Sequence, residues 1–256
     1  KGIAAGWVDI YENQGKTSGA YSFGSYDSMP YILLNYTDSL KDVFTLVHEM
    51  GHSMHSYYTR KTQPYTYGDH SIFTAEVAST VNESLLIKHL LDTENDPQMR
   101  KYLLNYYIEE FRTTLFRQTM FAEFELMTHQ EIENGGVLTA GWLNENYEKL
   151  NSDYFGPVME KDPYIQYEWA RIPHFYRGFY VYQYATGYSA ATAISEKILK
   201  EGQTARDNYI EFLKSGSSDY PVELLKIAGV DMASPEPVKM AMETFKTLVD
   251  ELEEIL

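Results

Sequence analysis

Leu40, Val43, Phe44, Val47, Gly51 and Met54 recur at steps of three and four residues, and this stripe constrains the fold more than any other feature of the chain. Only an α-helix brings positions so spaced onto one face, so the segment opening at Ser39 is predicted to be a helix with one side against a core. Ser39 followed by Asp42 resembles a capping box, which places the helix start. Helical patterning then continues. A second helix is expected over about 72 to 91. Pro97 suits the first position of a long helix that runs through Phe116 and Phe124 to the break at Gly135 and Gly136. Shorter helices are expected at about 140 to 155, 178 to 199, 205 to 214 and 222 to 228, and a last acidic one after Pro235 and Pro237, reaching Leu256.

Residues 1 to 37 are different. They are rich in Gly, Ser and Tyr, and short β-like runs at 6 to 10 and 31 to 34 are separated by turn residues, which predicts two or three strands. The expected architecture is mainly α with a small β element near the N-terminus. There is no internal repeat, and Ser215 to Ser218 reads as a loop, so residues 1 to 256 are expected to form a single domain.

The formal charge of -16 argues against nucleic acid or an anionic membrane surface as a partner, since both need basic patches. No apolar run approaches the roughly 18 residues that cross a bilayer. The absence of cysteine removes disulfides and thiol chemistry and fits a reducing compartment, so a cytoplasmic location is expected. The chain opens with Lys1 and shows no secretory signal, and a further segment is expected upstream. Aromatic residues reach 15%, with 23 Tyr against 12 Phe, a bias that suits rings buried by their bodies and wetted at their hydroxyls.

The chemistry is concentrated in Val47-His48-Glu49-Met50-Gly51-His52. Two histidines four apart on a helix project from the same face, so both imidazoles can reach one Zn2+, and the intervening Glu49 can reach a water beside it. Two ordinary, partly exposed histidines are the bland alternative. The apolar stripe on both sides of the motif disfavours it, because burying these groups without a partner is costly. A catalytic zinc usually takes three protein ligands and leaves one position open. Glu76 is the best third ligand: it lies 24 residues past His52, enough for one helix to end and another to return, and it sits among small and apolar neighbours. Thr80 and Glu83 share its face and either orient a ligand histidine or face solvent. His55 is either a second-layer or substrate contact or a packed or solvated histidine, and His70, His89 and His129 read as structural.

The run from His48 to Ser56, with Ala75-Glu76-Val77-Ala78-Ser79-Thr80 and Asn82-Glu83, resembles the M3 metallopeptidases, and among them the oligoendopeptidase F group. Tyr11-Glu12-Asn13 and Ser18-Gly19-Ala20-Tyr21, the run from Arg117 to Glu125, and His174-Phe175-Tyr176 with Tyr184-Ala185-Thr186-Gly187 agree with it in order. The resemblance implies a zincin-like helical catalytic lobe with one Zn2+ held by His48, His52 and Glu76, Glu49 as general base, and short peptides as substrates. It further implies that the block from His174 to Tyr188 closes over the substrate, with His174 and a tyrosine hydroxyl donating to the scissile carbonyl. Tyr182 is favoured for that role, Tyr176 next, and Tyr180 and Tyr184 remain in the choice. Family members are much longer, with a helical lobe before the metal site, so this chain is expected to be the C-terminal catalytic part and that lobe its partner.

Three rivals remain at this level. A carboxypeptidase or peptidyl-dipeptidase of the same fold would differ in where it cuts. A non-catalytic peptide-binding module would have little use for Glu49. A structural zinc site would prefer four ligands, usually including cysteine. The strands before Ser39 are expected to pair with the backbone of an extended peptide.

Overall fold

The computed structural model describes residues 2–256. The chain divides into two compact units. The first comprises the residues up to Ile108 together with Thr186–Leu256, and the second is Glu109–Ala185.

The first unit begins with a three-stranded sheet of order β1-β3-β2, formed by β1 (Val8–Asp9), β2 (Tyr21–Phe23) and β3 (Tyr31–Leu33). β1 runs parallel to β3 and β2 antiparallel, with Val8 and Ser22 both opposite Ile32. Helix α1 (Leu40–Thr62) starts where expected: Ser39 Oγ accepts the Asp42 N–H at 3.2 Å, and Asp42 accepts the Ser39 N–H at 3.1 Å. α2 (Ile72–Thr93) follows, then α3 (Pro97–Glu110). The C-terminal part of this unit is α6 (Tyr182–Glu201, from Thr186 on), α7 (Gln203–Lys214), α8 (Pro221–Ile227) and α9 (Glu236–Ile255).

Val77, Ala78 and Val81 of α2, Ala190, Ala191 and Ile194 of α6, Phe212 of α7 and Leu225 of α8 form the centre of the core. Each large side chain buried there contributes roughly 1.5 to 3 kcal/mol. On α1 the stripe read from the sequence is only partly interior. Phe44 and Gly51 are buried, whereas Leu40, Val43, Val47 and Met54 are half-buried. The deeply buried remainder is polar: Glu49, Ser53, His55 and Thr59. The reason is that α1 is covered on several sides. Ser22 of β2 hydrogen-bonds Ser53 at 2.8 Å, and Thr59 donates to the Leu213 carbonyl of α7 at 2.9 Å.

In the second unit, a π-helical stretch (Phe111–Phe116) leads into α4 (Arg117–Glu133), where the sequence pattern predicts uninterrupted α-helix from Pro97 onward. α5 (Ala140–Phe155) follows, then two 3-10 turns, Ile165–Arg171 and Pro173–Tyr176. Met120, Phe121, Phe124, Tyr147, Leu150, Ile172 and Val181 make its core. α6 begins at Tyr182 rather than near Gly178, because Phe179 has a φ of 54°, which a right-handed helix cannot contain. Among the described residues, no helix is long and apolar enough to cross a membrane.

Candidate metal centre

His48 and His52 sit one turn apart on α1, and helix geometry alone aims both rings the same way. Their Nε2 atoms are 3.1 Å apart. α2 brings the carboxylate of Glu76 to them, with Oε2 3.4 Å from His48 Nε2 and 3.7 Å from His52 Nε2. Among the described residues these three form the group able to hold a metal ion, their donor atoms lying within 4.8 Å of one another. What permits this is Gly51, midway along the motif. A Cβ there would meet Ser79 Cα at 2.4 Å, the Ala78 carbonyl oxygen at 2.7 Å and Ser79 N at 2.8 Å, all backbone atoms of α2. The two helices therefore cross in contact at a residue lacking a side chain, which sets Glu76 opposite the histidines.

The surroundings suit a cation. Two imidazole nitrogens face each other at hydrogen-bond distance, so one must carry a proton or both must face a shared positive charge. Burial works against charge on His48, but the hydrogen bonds and proximity of Glu76 and Glu83 outweigh it and raise its pKa to about 10. Burial and the neighbouring His48 charge lower His52 to about 4. Glu76 is held below its ordinary value: burial opposes this, and the bond to His48 with the charge of both histidines prevails. Glu83 lies 3.2 Å from His48 Nδ1, so it takes up the nitrogen that faces away from Glu76 and leaves Nε2 for the centre. Two imidazoles, one carboxylate and an outer carboxylate on a ring N–H make a donor set appropriate to zinc.

Glu49 follows His48 on α1 and is buried, 7% exposed, within reach of the charges of His48 and Glu76. Its Oε2 is buried without a hydrogen-bond partner. Burial raises its pKa, against the charge of His48 and a backbone hydrogen bond from Ser22. Thr80 is buried on α2. His55 belongs to the interior, 1% exposed, with its ring 4.1 Å from that of His70 in a near-parallel stack and 5.3 Å from Phe212.

In the second unit, the ring of His174 stacks on Tyr180 at 5.8 Å and meets Tyr184 edge-on at 6.0 Å. The Tyr184 hydroxyl donates to that of Tyr180 at 3.3 Å. Tyr176 is 91% exposed and Tyr182 41% exposed. His174 is thus grouped with Tyr180 and Tyr184. Two carboxylates that sequence reasoning passed over are also built in here. Glu168, side chain 8% exposed, accepts from Arg117, Arg171 and the Tyr147 hydroxyl, and Glu125 accepts the Phe179 N–H at 2.7 Å. Their partners lie 21 to 54 residues away or in an irregular turn, so no local spacing signals them.

Known proteins match along almost the whole chain. Oligopeptidase PepF of Bacillus subtilis is 57% identical over 256 residues, covering 100% of this chain and 38% of that protein. A crystal structure from Chlamydophila abortus superposes with a TM-score of 0.91 at 47% identity, covering 98% of this chain and 42% of the other. Oligoendopeptidase-F from Enterococcus faecium gives 0.77 at 51% identity, over 84% of this chain and 39% of the other. The chain thus spans about two fifths of the length of its relatives. The sequence model of peptidase family M3 matches residues 1–244, and the chain belongs to that family.

Proposed function

We propose that this chain carries the catalytic centre of a zinc metalloendopeptidase acting on short oligopeptides, with His48, His52 and Glu76 holding the metal and Glu49 as general base. The observation that carries the reading is the convergence of those three donors within 4.8 Å beside a buried, raised Glu49 carboxylate. When bound, zinc supplies Lewis acidity, polarising a carbonyl and easing the deprotonation of water.

The chain's own residues account for the proton. Glu49 takes it from water at its carboxylate and returns it to the nitrogen of the leaving amine. Its raised pKa brings proton affinity closer to neutrality, where a base both accepts and releases efficiently. Glu83 holds His48 in the tautomer that presents Nε2. His174 donates to the developing oxyanion together with a tyrosine hydroxyl. The family resemblance favours Tyr182 and then Tyr176, and proximity to His174 favours Tyr180 and Tyr184. β2, an edge strand beside α1, offers its outer backbone groups to an extended peptide, a recognition mode tolerant of sequence. The relatives are more than twice as long, and in this reading the parts of them outside the match contribute the remaining walls of the substrate site.

The test is hydrolysis of a quenched fluorescent peptide of some ten residues by this chain with Zn2+ and by Glu49→Gln, with products identified by mass and zinc content measured on both. The reading expects internal cleavage, and a Glu49→Gln variant that keeps its zinc while losing about two to four orders of magnitude in rate. Cleavage confined to peptide ends would replace it with the carboxypeptidase or dipeptidase alternative. Zinc bound without cleavage would refute activity in this chain alone, and no zinc bound would refute the metal site.

A further inference from the structure

The segment bearing His174 and its tyrosines is irregular: two 3-10 turns, a bend at Gly178 and Phe179, then the start of α6. α5 holds its first turn through Tyr147 and Asn144, and α4 runs along the rest. Along α4, Arg117 donates to Glu168 at 2.5 Å. Phe121 and Phe124 each place their rings 5.5 Å from that of Phe175. Glu125 accepts the Phe179 N–H, and His129 lies 4.5 Å from the Phe179 ring. Steps of three and four residues separate most of these positions, so one face of α4 carries them.

Phe179 is the informative member. At a φ of 54° it occupies the left-handed region, which a bulky L-residue rarely enters. Its N–H is taken by Glu125, a carboxylate only 4% exposed. A buried carboxylate is expensive unless its hydrogen bonds are specific, and here it is aimed at the backbone of the strained residue. The left-handed residue reverses the chain between His174 and Tyr180, and Tyr180 returns to lie almost parallel over the His174 ring, 15° between planes.

We infer that Glu125 is a positioning residue: by holding Phe179 in its left-handed conformation it folds the segment back and sets the mutual orientation of His174, Tyr180 and Tyr184. This rests on the proposal that those groups serve the reaction as hydrogen-bond donors. Glu125 itself touches no reacting atom; it acts through the Phe179 backbone.

The experiment compares Glu125→Ala, Glu125→Gln, Phe179→Gly and the Glu125→Ala/Phe179→Gly double variant in this chain. The readouts are hydrogen exchange of peptides spanning 174 to 184, followed by mass spectrometry, and kcat and KM for peptide hydrolysis. Glu125→Ala should raise exchange in that segment about tenfold, the scale of a left-handed residue's penalty, and lower kcat more than KM. Glu125→Gln keeps a carbonyl acceptor and should restore both. Glycine enters positive φ freely, so Phe179→Gly should make the loss of Glu125 nearly silent, the double variant exchanging like Phe179→Gly alone. Unchanged exchange in Glu125→Ala overturns the inference. So does a loss that Phe179→Gly fails to suppress, or one that Glu125→Gln shares with a lowered Tm. If exchange follows the expectation while hydrolysis is unaffected, the positioning role stands and the assignment of the His174 group to the reaction falls.

Discussion

Gly51→Ala should separate the metal donors without touching any of them. The substituted Cβ would sit 2.4 Å from Ser79 Cα, against an ordinary carbon contact of about 3.5 Å, a shortfall of about 1 Å that only movement of α1 against α2 can remove. His48 and His52 ride on α1 and Glu76 on α2, so the same movement falls directly on their 3.4 and 3.7 Å separations. Metal–ligand distances tolerate about 0.2 Å, so a shift of that size disengages Glu76 or strains it. Zinc affinity should drop by at least about 10- to 100-fold, the loss usual for disturbing the support of a metal ligand. Stability changes through two opposed effects. Overpacking costs about 1 to 3 kcal/mol, and replacing Gly by Ala inside a helix returns about 1 kcal/mol. The assay is competition for zinc against a chromophoric chelator, paired with urea unfolding of the metal-free protein. Gly141→Ala is the control: it lies in α5 with only Thr139 Oγ1 within 4 Å, at 3.9 Å, and should leave zinc affinity unchanged. A Gly51→Ala protein that binds zinc within about twofold of the parent and is more stable by the full helix-propensity gain of about 1 kcal/mol would refute the reasoning.

Three further outcomes are expected. Glu83→Gln removes the charge 3.2 Å from His48 Nδ1 and should weaken zinc about 10-fold or more by the same competition assay, with the fold retained. The metal-free protein should be most stable near pH 6.5. His52, lowered to about 4, makes stability fall as pH drops from 6.5 towards 4, and His48, raised to about 10, makes it fall as pH rises from 6.5 towards 10. Urea midpoints across pH check this. Glu168→Gln takes the shared carboxylate from Arg117, Arg171 and Tyr147 and should cost about 2 to 3 kcal/mol, read from denaturant midpoints.

How much of this was legible beforehand depended on how local each feature is. The helix start at Ser39, the helical character of most of the chain and the small β element in front follow from caps, periodicity and turn residues, each confined to a few neighbours along the chain. That His48 and His52 share a face is equally local, since one helical turn dictates it. The late start of α6 was not legible: a left-handed Phe179 runs against its residue type and is stabilised by Glu125, 54 residues earlier. The stripe on α1 named the helix correctly but not its most buried residues, because what covers Ser53, His55 and Thr59 comes from β2, the His70 loop and α7.

The sequence by itself therefore determined the helices, their order and the pair of imidazoles one turn apart, because backbone hydrogen bonding within a helix needs no distant partner. Only the tertiary structure decided which carboxylate faces those imidazoles, how close it comes, and which groups gather round His174. Those choices depend on where two helices touch, and Gly51 against the backbone of Ser79 places that contact through the absence of a single methyl group.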